Sequence, residues 1–403
     1  MLINKNFTKL LFGDSISNLS GALSSLVVVW AITQHENGIF WVGVYYAAMR
    51  ASDLFAFLFG NLVDRVSNKK ILVFTELGAM IIKIMFTLAL LFNMYLGFNL
   101  PLVLSIIVFF LGIIENPTYS VKHAYTQKAV EKKDLEKVSS YNYMARNIGS
   151  NLFNPVIGFL MNHILHIYIL ISSIITHFIA TLFYKNLEDL KIEKDVKIDR
   201  TNKKKESIFI GFKYLFKDNL LTLILIEGSL LNIFFAGVPI YFAIIASYHN
   251  SPFILGLLGS IMSFGGLVGA VFVTRVLFKN IPLGKKNILL RFLLGLSLAL
   301  TFLFVEDFSI LIILAIAGVF WGSTHITGTP VDQAIIPKEH FGKIRQAMYT
   351  ISVGIMPLGS LFFGIMSEHI SLSLFFILFG STYIFFSILM FFNKRMRELS
   401  LEN

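Results

Sequence analysis

Residues 60–70 read Gly60-Asn61-Leu62-Val63-Asp64-Arg65-Val66-Ser67-Asn68-Lys69-Lys70, a short polar stretch with apolar runs on both sides. A small residue at the end of an apolar run lets neighbouring helices approach closely. The carboxylate of Asp64 and the cations Arg65, Lys69 and Lys70 that follow it have the makings of a structured latch at a membrane surface.

Outward from this loop, the composition fixes the solvent. Of 403 residues, 56% are apolar, only 14% are charged, and 41 are phenylalanine. A soluble domain carries about a quarter charged residues, so a chain this apolar needs lipid around it. The net charge of +10 could point to nucleic acid, but the basic residues fall in short clusters between apolar runs, as cytoplasmic loops do. No nucleic-acid partner is expected. The absence of cysteine excludes disulfides and thiolate metal sites, and no metal or cofactor is expected. Lys5 and Lys9 lead directly into a run too long for a cleavable signal.

A helix needs about 20 apolar residues to cross a bilayer. Runs of that kind cover 8–34, 39–63, 71–94, 100–122, 138–161, 163–185, 219–246, 252–278, 287–305, 308–330, 345–366 and 371–393. Charge tests the count. With the N-terminus cytoplasmic, the outer loops are 35–38, 95–99, 162–167, 247–251, 305–308 and 367–371, and none holds a Lys or Arg. Three basic residues, Arg50, Lys83 and Arg146, fall inside spans, and the others lie on the opposite side or at its membrane edge. The expectation is an all-α integral membrane protein with twelve spans, two six-helix halves and both termini cytoplasmic.

The halves are 1–185 and 219–403, joined by a polar linker at 186–218 whose last part, Ile208 to Lys217, alternates apolar and basic residues like a surface amphipathic helix. Two such halves imply parallel repeats with a substrate site near the midplane. Pro117 and Pro330 occupy comparable places in the fourth and tenth spans, as Pro155 and Pro357 do in the fifth and eleventh.

The loop from Gly60 to Lys70 resembles the signature loop of the major facilitator superfamily. Gly60, Leu62, Asp64, Arg65 and the pair Lys69/Lys70 match it, while Ser67 and Asn68 depart from it. The resemblance implies that Asp64 contacts the start of the eleventh helix near Ile344 or Arg345, holding an outward-open state. The stretches Gly211–Leu215 and Gln333–Arg345 are similar to segments of the macrolide and enterobactin exporters among drug–proton antiporters. Gly149, Pro155 and Gly158 resemble the helix-bending motif of such exporters, with Asn154 replacing a glycine.

Charges inside spans each cost about 2.5–3.5 kcal/mol on insertion scales, so they mark function. Arg50 and Asp53 are three apart on one helix face and neutralise each other; Lys83 and Arg146 complete the charge-pairing set. Glu76 lies near the membrane edge and is assigned to solvent. Asp14 has no local partner, Glu115 sits at the depth of Arg146, and Glu227 is the main charge of the second half. These three are the proton-coupling candidates. His325 is assigned a structural role.

These features imply a monomeric multi-pass transporter in a bacterial cytoplasmic membrane. Its expected activity is proton-coupled export of small hydrophobic or amphipathic compounds by alternating access. Import of a nutrient or siderophore is the alternative within transport, and a sensor or immunity protein the alternative outside it. No P-loop, His-Glu-x-x-His or Gly-x-Ser-x-Gly motif is present, so no enzyme is expected.

Overall fold

The computed structural model describes all residues except 1–3, 60–65, 98, 131–137, 139–140, 143–144, 146–147, 190–209, 271, 274–277, 279, 305–307, 338–339 and 401–403. Of the described residues 88% are helical, and none lies in a strand. Nine helices among them are long and apolar enough to cross a membrane. Three expected spans, at 39–63, 138–161 and 252–278, are not among the nine. Each is broken by a change of helix type or by residues outside the description.

The helices divide between two compact units. Unit 1 comprises Met1–Lys197 with Phe242–Leu257, and unit 2 comprises Ile198–Tyr241 with Leu258–Asn403.

In unit 1, α1 (Lys5–Thr33) starts where the Asn4 side chain accepts a hydrogen bond from the Asn6 N–H, covering one of the unpaired donors of a helix start. The helix α2 (Gly38–Ala51) tightens into a 3-10 helix over Ser52–Phe59. After it come α3 (Asn68–Leu96) and α4 (Leu100–Ala129). Asn99 caps α4 and Pro101 sits in its first turn, where a missing N–H costs nothing. A π-helical turn, Ile148–Leu152, precedes α5 (Asn154–Met161), and α6 (His166–Lys185) closes the set. The helices α1, α3 and α6 pack mutually, and α4 packs on α2 and α3. Their shared apolar cluster includes Leu10, Leu72, Val121, Tyr125 and Tyr184.

The bend at the fifth span has a visible cause. A π-turn and Pro155 at a helix start interrupt the regular ladder. Gly158 then meets α9 (Pro252–Val268), where a Cβ would lie 2.8 Å from the Phe253 Cα.

Unit 2 begins with α7 (Ile210–Lys217) and with α8 (Asn219–Tyr248) as far as Tyr241. The rest of α9 follows, then α10 (Leu283–Leu300), α11 (Ile310–Ile335), α12 (Phe341–Gly354), α13 (Met356–Met366) and α14 (Leu372–Phe392). The helix α10 packs along α11 and α14. The amphipathic α7 lies on α12, with Leu215 wholly buried and Phe216 exposed. Pro155 and Pro357 both open the second piece of a broken span; Pro117 and Pro330 both lie inside long helices. Phe234, Tyr241, Phe363, Phe375 and Phe379 form a continuous aromatic core, with Tyr241 stacked on Phe375 at 3.9 Å between centroids.

Apolar residues also cover the outside. Phe74 is 70% exposed, Ile312 67% and Leu358 65%, while Ser20, Lys83, Glu76, His177, Glu227 and Asn287 are buried. A polar interior under an apolar surface is the arrangement lipid demands.

Candidate functional site

Each unit encloses ionisable groups, and the buried ones among them meet the cost of burial through a partner. In unit 1, Asp14 on α1 meets Lys122 on α4, with Nζ 2.5 Å from Oδ1. The sequence reading of Asp14 as a carboxylate without a fixed partner is therefore corrected. Lys122 also lies 5.6 Å from the centroid of the Tyr184 ring, a cation–π distance. It belongs with the interior charges because α4 runs on to Ala129, beyond the expected end of the span.

Glu76 on α3 is also corrected. It is 3% exposed, and its Oε2 lies 2.6 Å from Nδ1 of His177 on α6. Its Oε1 accepts a hydrogen bond from Ser17 on α1 at 2.8 Å. His177 is 1% exposed, and its Nε2 has no hydrogen-bond partner among the described residues. Nothing in the apolar pattern of α6 marked this histidine; a polar residue facing two other helices is invisible to hydropathy.

Lys83 on α3 is fully buried, and its Nζ donates to Ser20 Oγ at 2.8 Å. Ser20 in turn donates to the Ser173 carbonyl on α6. Glu115 on α4 is exposed, yet stands within electrostatic reach of His177, Lys83, Glu76 and Lys122. Four helices thus bring Asp14, Glu76, Lys83, Glu115, Lys122 and His177 into one cluster. Arg50 and Asp53 stand apart as a pair at 4.0 Å with both side chains about 40% exposed, where such a contact contributes little.

In unit 2, Glu227 on α8 is 1% exposed and forms an ion pair with Arg291 on α10. The Arg291 Nε donates to Asn287 Oδ1 at 2.8 Å, and Asn287 donates to Thr327 Oγ1 on α11 at 2.9 Å. Glu227 Oε1 is buried without a hydrogen-bond partner among the described residues. Arg291 lies well inside α10, which begins at Leu283, so it too is an interior charge rather than an edge residue. His325 lies edge-on to Trp321, 4.7 Å between centroids.

Gly60, Asp64, Arg65 and Arg146 lie outside the described residues. Lys69 and Lys70 form the first turn of α3, with Lys70 exposed. Just before them Ser67 donates to Asp189 at 2.5 Å. Arg345, near which Asp64 was expected, forms an ion pair with Asp332 across the α11–α12 turn. Gly149 lies against α1, where a Cβ would stand 2.9 Å from that of Asn18. Among the described residues no group of three His, Asp or Glu side chains is arranged to hold a metal.

The match to known proteins is broad. The family model of the Major Facilitator Superfamily covers residues 7–357. No curated protein sequence matches the chain. Similar solved structures include the nucleoside transporter NupG (TM-score 0.67, 14% identity, covering 99% of this chain and 100% of that one). A D-xylose-proton symporter aligns with TM-score 0.68 and 16% identity, over 96% of this chain and 95% of that one. A bacterial homologue of the iron transporter ferroportin, inward-facing, aligns with TM-score 0.72 and 14% identity, over 95% of this chain and 98% of that one. At such identities the likeness speaks to the fold. With the family model spanning most of its length, the chain belongs to the major facilitator superfamily and is a multi-pass membrane transporter.

Proposed function

We propose that this transporter exports small hydrophobic or amphipathic compounds in exchange for protons, by alternating access, from the cytoplasmic membrane of a bacterium. It would act as a monomer of twelve spans with both termini in the cytoplasm. The observation that carries the reading is the cluster of ionisable side chains enclosed in unit 1, of which Glu115 alone is an exposed carboxylate. Asp14 and Glu227, the other two carboxylates singled out from the sequence, each hold a cation. Glu115 is thus the one best placed to exchange a proton with water.

One proton moving down the membrane potential supplies about 2.3 kcal/mol per 100 mV, enough for a useful concentration ratio. The loop from Gly60 to Lys70 acts as the cytoplasmic latch, with Asp64 as its central contact. Export is favoured over import by the similarity of Gly211–Leu215 and Gln333–Arg345 to the macrolide and enterobactin exporters, and by the aromatic core of unit 2.

The test is accumulation of macrolides, cationic dyes and peptide antibiotics in cells with and without the protein. Expressing cells should hold less of at least one compound, and a protonophore should remove the difference. Export that survives collapse of both the pH gradient and the potential would sink proton coupling; higher accumulation in expressing cells would reverse the direction.

A further inference from the structure

The charge cluster of unit 1 gathers around the buried pair of Glu76 and His177. Among the described residues, Asp14, Glu76 and Glu115 supply three carboxyl groups, while Lys83 and Lys122 supply two ammonium groups. Three carboxyl groups against two ammonium groups, counted over these described side chains, leave the imidazole of His177 in surroundings that favour its protonated form. We propose that the Glu76–His177 pair is where unit 1 holds a coupling proton.

The geometry is specific to the pair. Nδ1 of His177 faces Glu76 Oε2 at 2.6 Å, so a neutral ring donates Nδ1–H to the carboxylate and leaves Nε2 as a bare lone pair. That nitrogen is buried and has no hydrogen-bond partner among the described residues. A proton arriving from water adds to the Nε2 lone pair and forms an N–H bond; the resulting imidazolium keeps its Nδ1–H on Glu76. The second Glu76 oxygen is already held by Ser17, which fixes the carboxylate in place.

The helices packed against the pair bring few competing charges. The helix α1 presents Asp14, already paired with Lys122 of α4. Lys83, from α3 itself, is tied to Ser20. From α4 comes Glu115, an exposed carboxylate within electrostatic reach of His177. The α5 segment, Asn154–Met161, carries no titratable side chain, and α6 adds Tyr184.

This inference rests on the proton-coupled reading above, but its test needs no transport substrate. Purified full-length chain with ring-labelled histidine would be taken through neutral pH in detergent while infrared difference spectra are recorded. Wild-type protein should show the His177 ring gaining a proton. His177→Gln should lose one histidine from the difference spectrum, and Glu76→Gln should move that signal to a different pH. Elution as a single folded species qualifies each variant, and either one alone suffices if the other does not fold. Should neither fold, the wild-type spectra decide, since nine histidines are few enough for a neutral-range buried ring to be counted by its resistance to deuterium exchange. A difference spectrum in His177→Gln that superimposes on wild type, or the absence of a titrating exchange-resistant ring, would overturn the proposal. Failure of proton coupling in cells would leave these spectra unchanged, so the two ideas fail separately.

Discussion

Asp14 on α1 and Lys122 on α4 form an ion pair at 2.5 Å, with about a sixth to a fifth of each side chain exposed. Breaking such a pair by removing one partner leaves a charge in a medium that solvates it poorly. That penalty is about 3–5 kcal/mol for buried pairs. Asp14→Asn should therefore lower the thermal unfolding temperature of the detergent-purified protein, and Asp14→Asn with Lys122→Gln should recover part of the loss. An Asp14→Asn protein as stable as wild type would mean that the pair is not structural, and Asp14 would return to the set of proton carriers.

Arg291 makes two contacts at once, an ion pair with Glu227 and a hydrogen bond from Nε to Asn287. A lysine has no fork to hold both partners. Arg291→Lys should cost about 1.5–3 kcal/mol, the range for hydrogen bonds to charged groups, through the released Asn287 and Thr327. Thermal unfolding reads the loss. Wild-type stability in Arg291→Lys would show that charge alone, without the fork, satisfies Glu227.

Hydropathy and loop charge carried the reading of this chain a long way, because both are one-dimensional. Apolar runs, with every second loop free of Lys and Arg, announce helices crossing lipid, and Gly60–Lys70 announced the superfamily. Ile210–Lys217, where apolar and basic residues alternate, is helical as α7. Partner choice was less legible. Lys122 and Arg291 looked like edge residues because span ends were set by where apolarity faded, whereas the helices continue. Glu76 looked solvated for the same reason, and His177 gave no signal at all. Which residues share an interior depends on the rotation of each helix about its axis, and a nearly uniform apolar sequence hides that angle. The Arg50–Asp53 pair was legible because it is local, three residues along one chain.

Small residues set the distance between α9 and α11. Gly265 in α9 and Gly269 one residue past its end, and Gly318 and Gly322 on α11, repeat at four-residue spacing, the pattern that lets helix backbones touch in lipid. A Cβ at Gly322 would lie 2.6 Å from the Gly266 Cα, and backbone cannot yield as a side chain can. Gly322→Ala should destabilise the protein by about 1–3 kcal/mol, as overpacking does. Gly328, on the same helix, has no heavy atom within 4 Å of the added carbon, so Gly328→Ala should be neutral or gain about 0.5–1 kcal/mol from helix propensity. Equal thermal unfolding of the two variants would contradict the packing argument.

The junction of α7 and α8 supplies the pH prediction. Asp218 Oδ1 accepts the N–H groups of Leu220 at 2.9 Å and Leu221 at 3.1 Å, capping α8, while its Oδ2 meets Arg395 near the C-terminus. Burial alone would raise this carboxyl, but the Arg395 hydrogen bond, the two backbone N–H groups and the Arg395 charge outweigh it and hold it below its ordinary value. A carboxyl depressed on folding contributes stability that is complete above its unfolded value, about 3.9. The contribution fades as pH falls toward the lower folded value. Asp218→Asn keeps an oxygen for the cap and loses the charge, so the difference from wild type should be modest. The exposed pair with Arg395 contributes about 0.2–1 kcal/mol. That difference should stay constant from neutral pH down to about pH 5 and shrink below about pH 4. Amide exchange across Leu220–Thr222, compared between the two proteins at each pH, gives the local reading. A gap that persists undiminished at the lowest pH would show that it does not come from the ionised carboxylate.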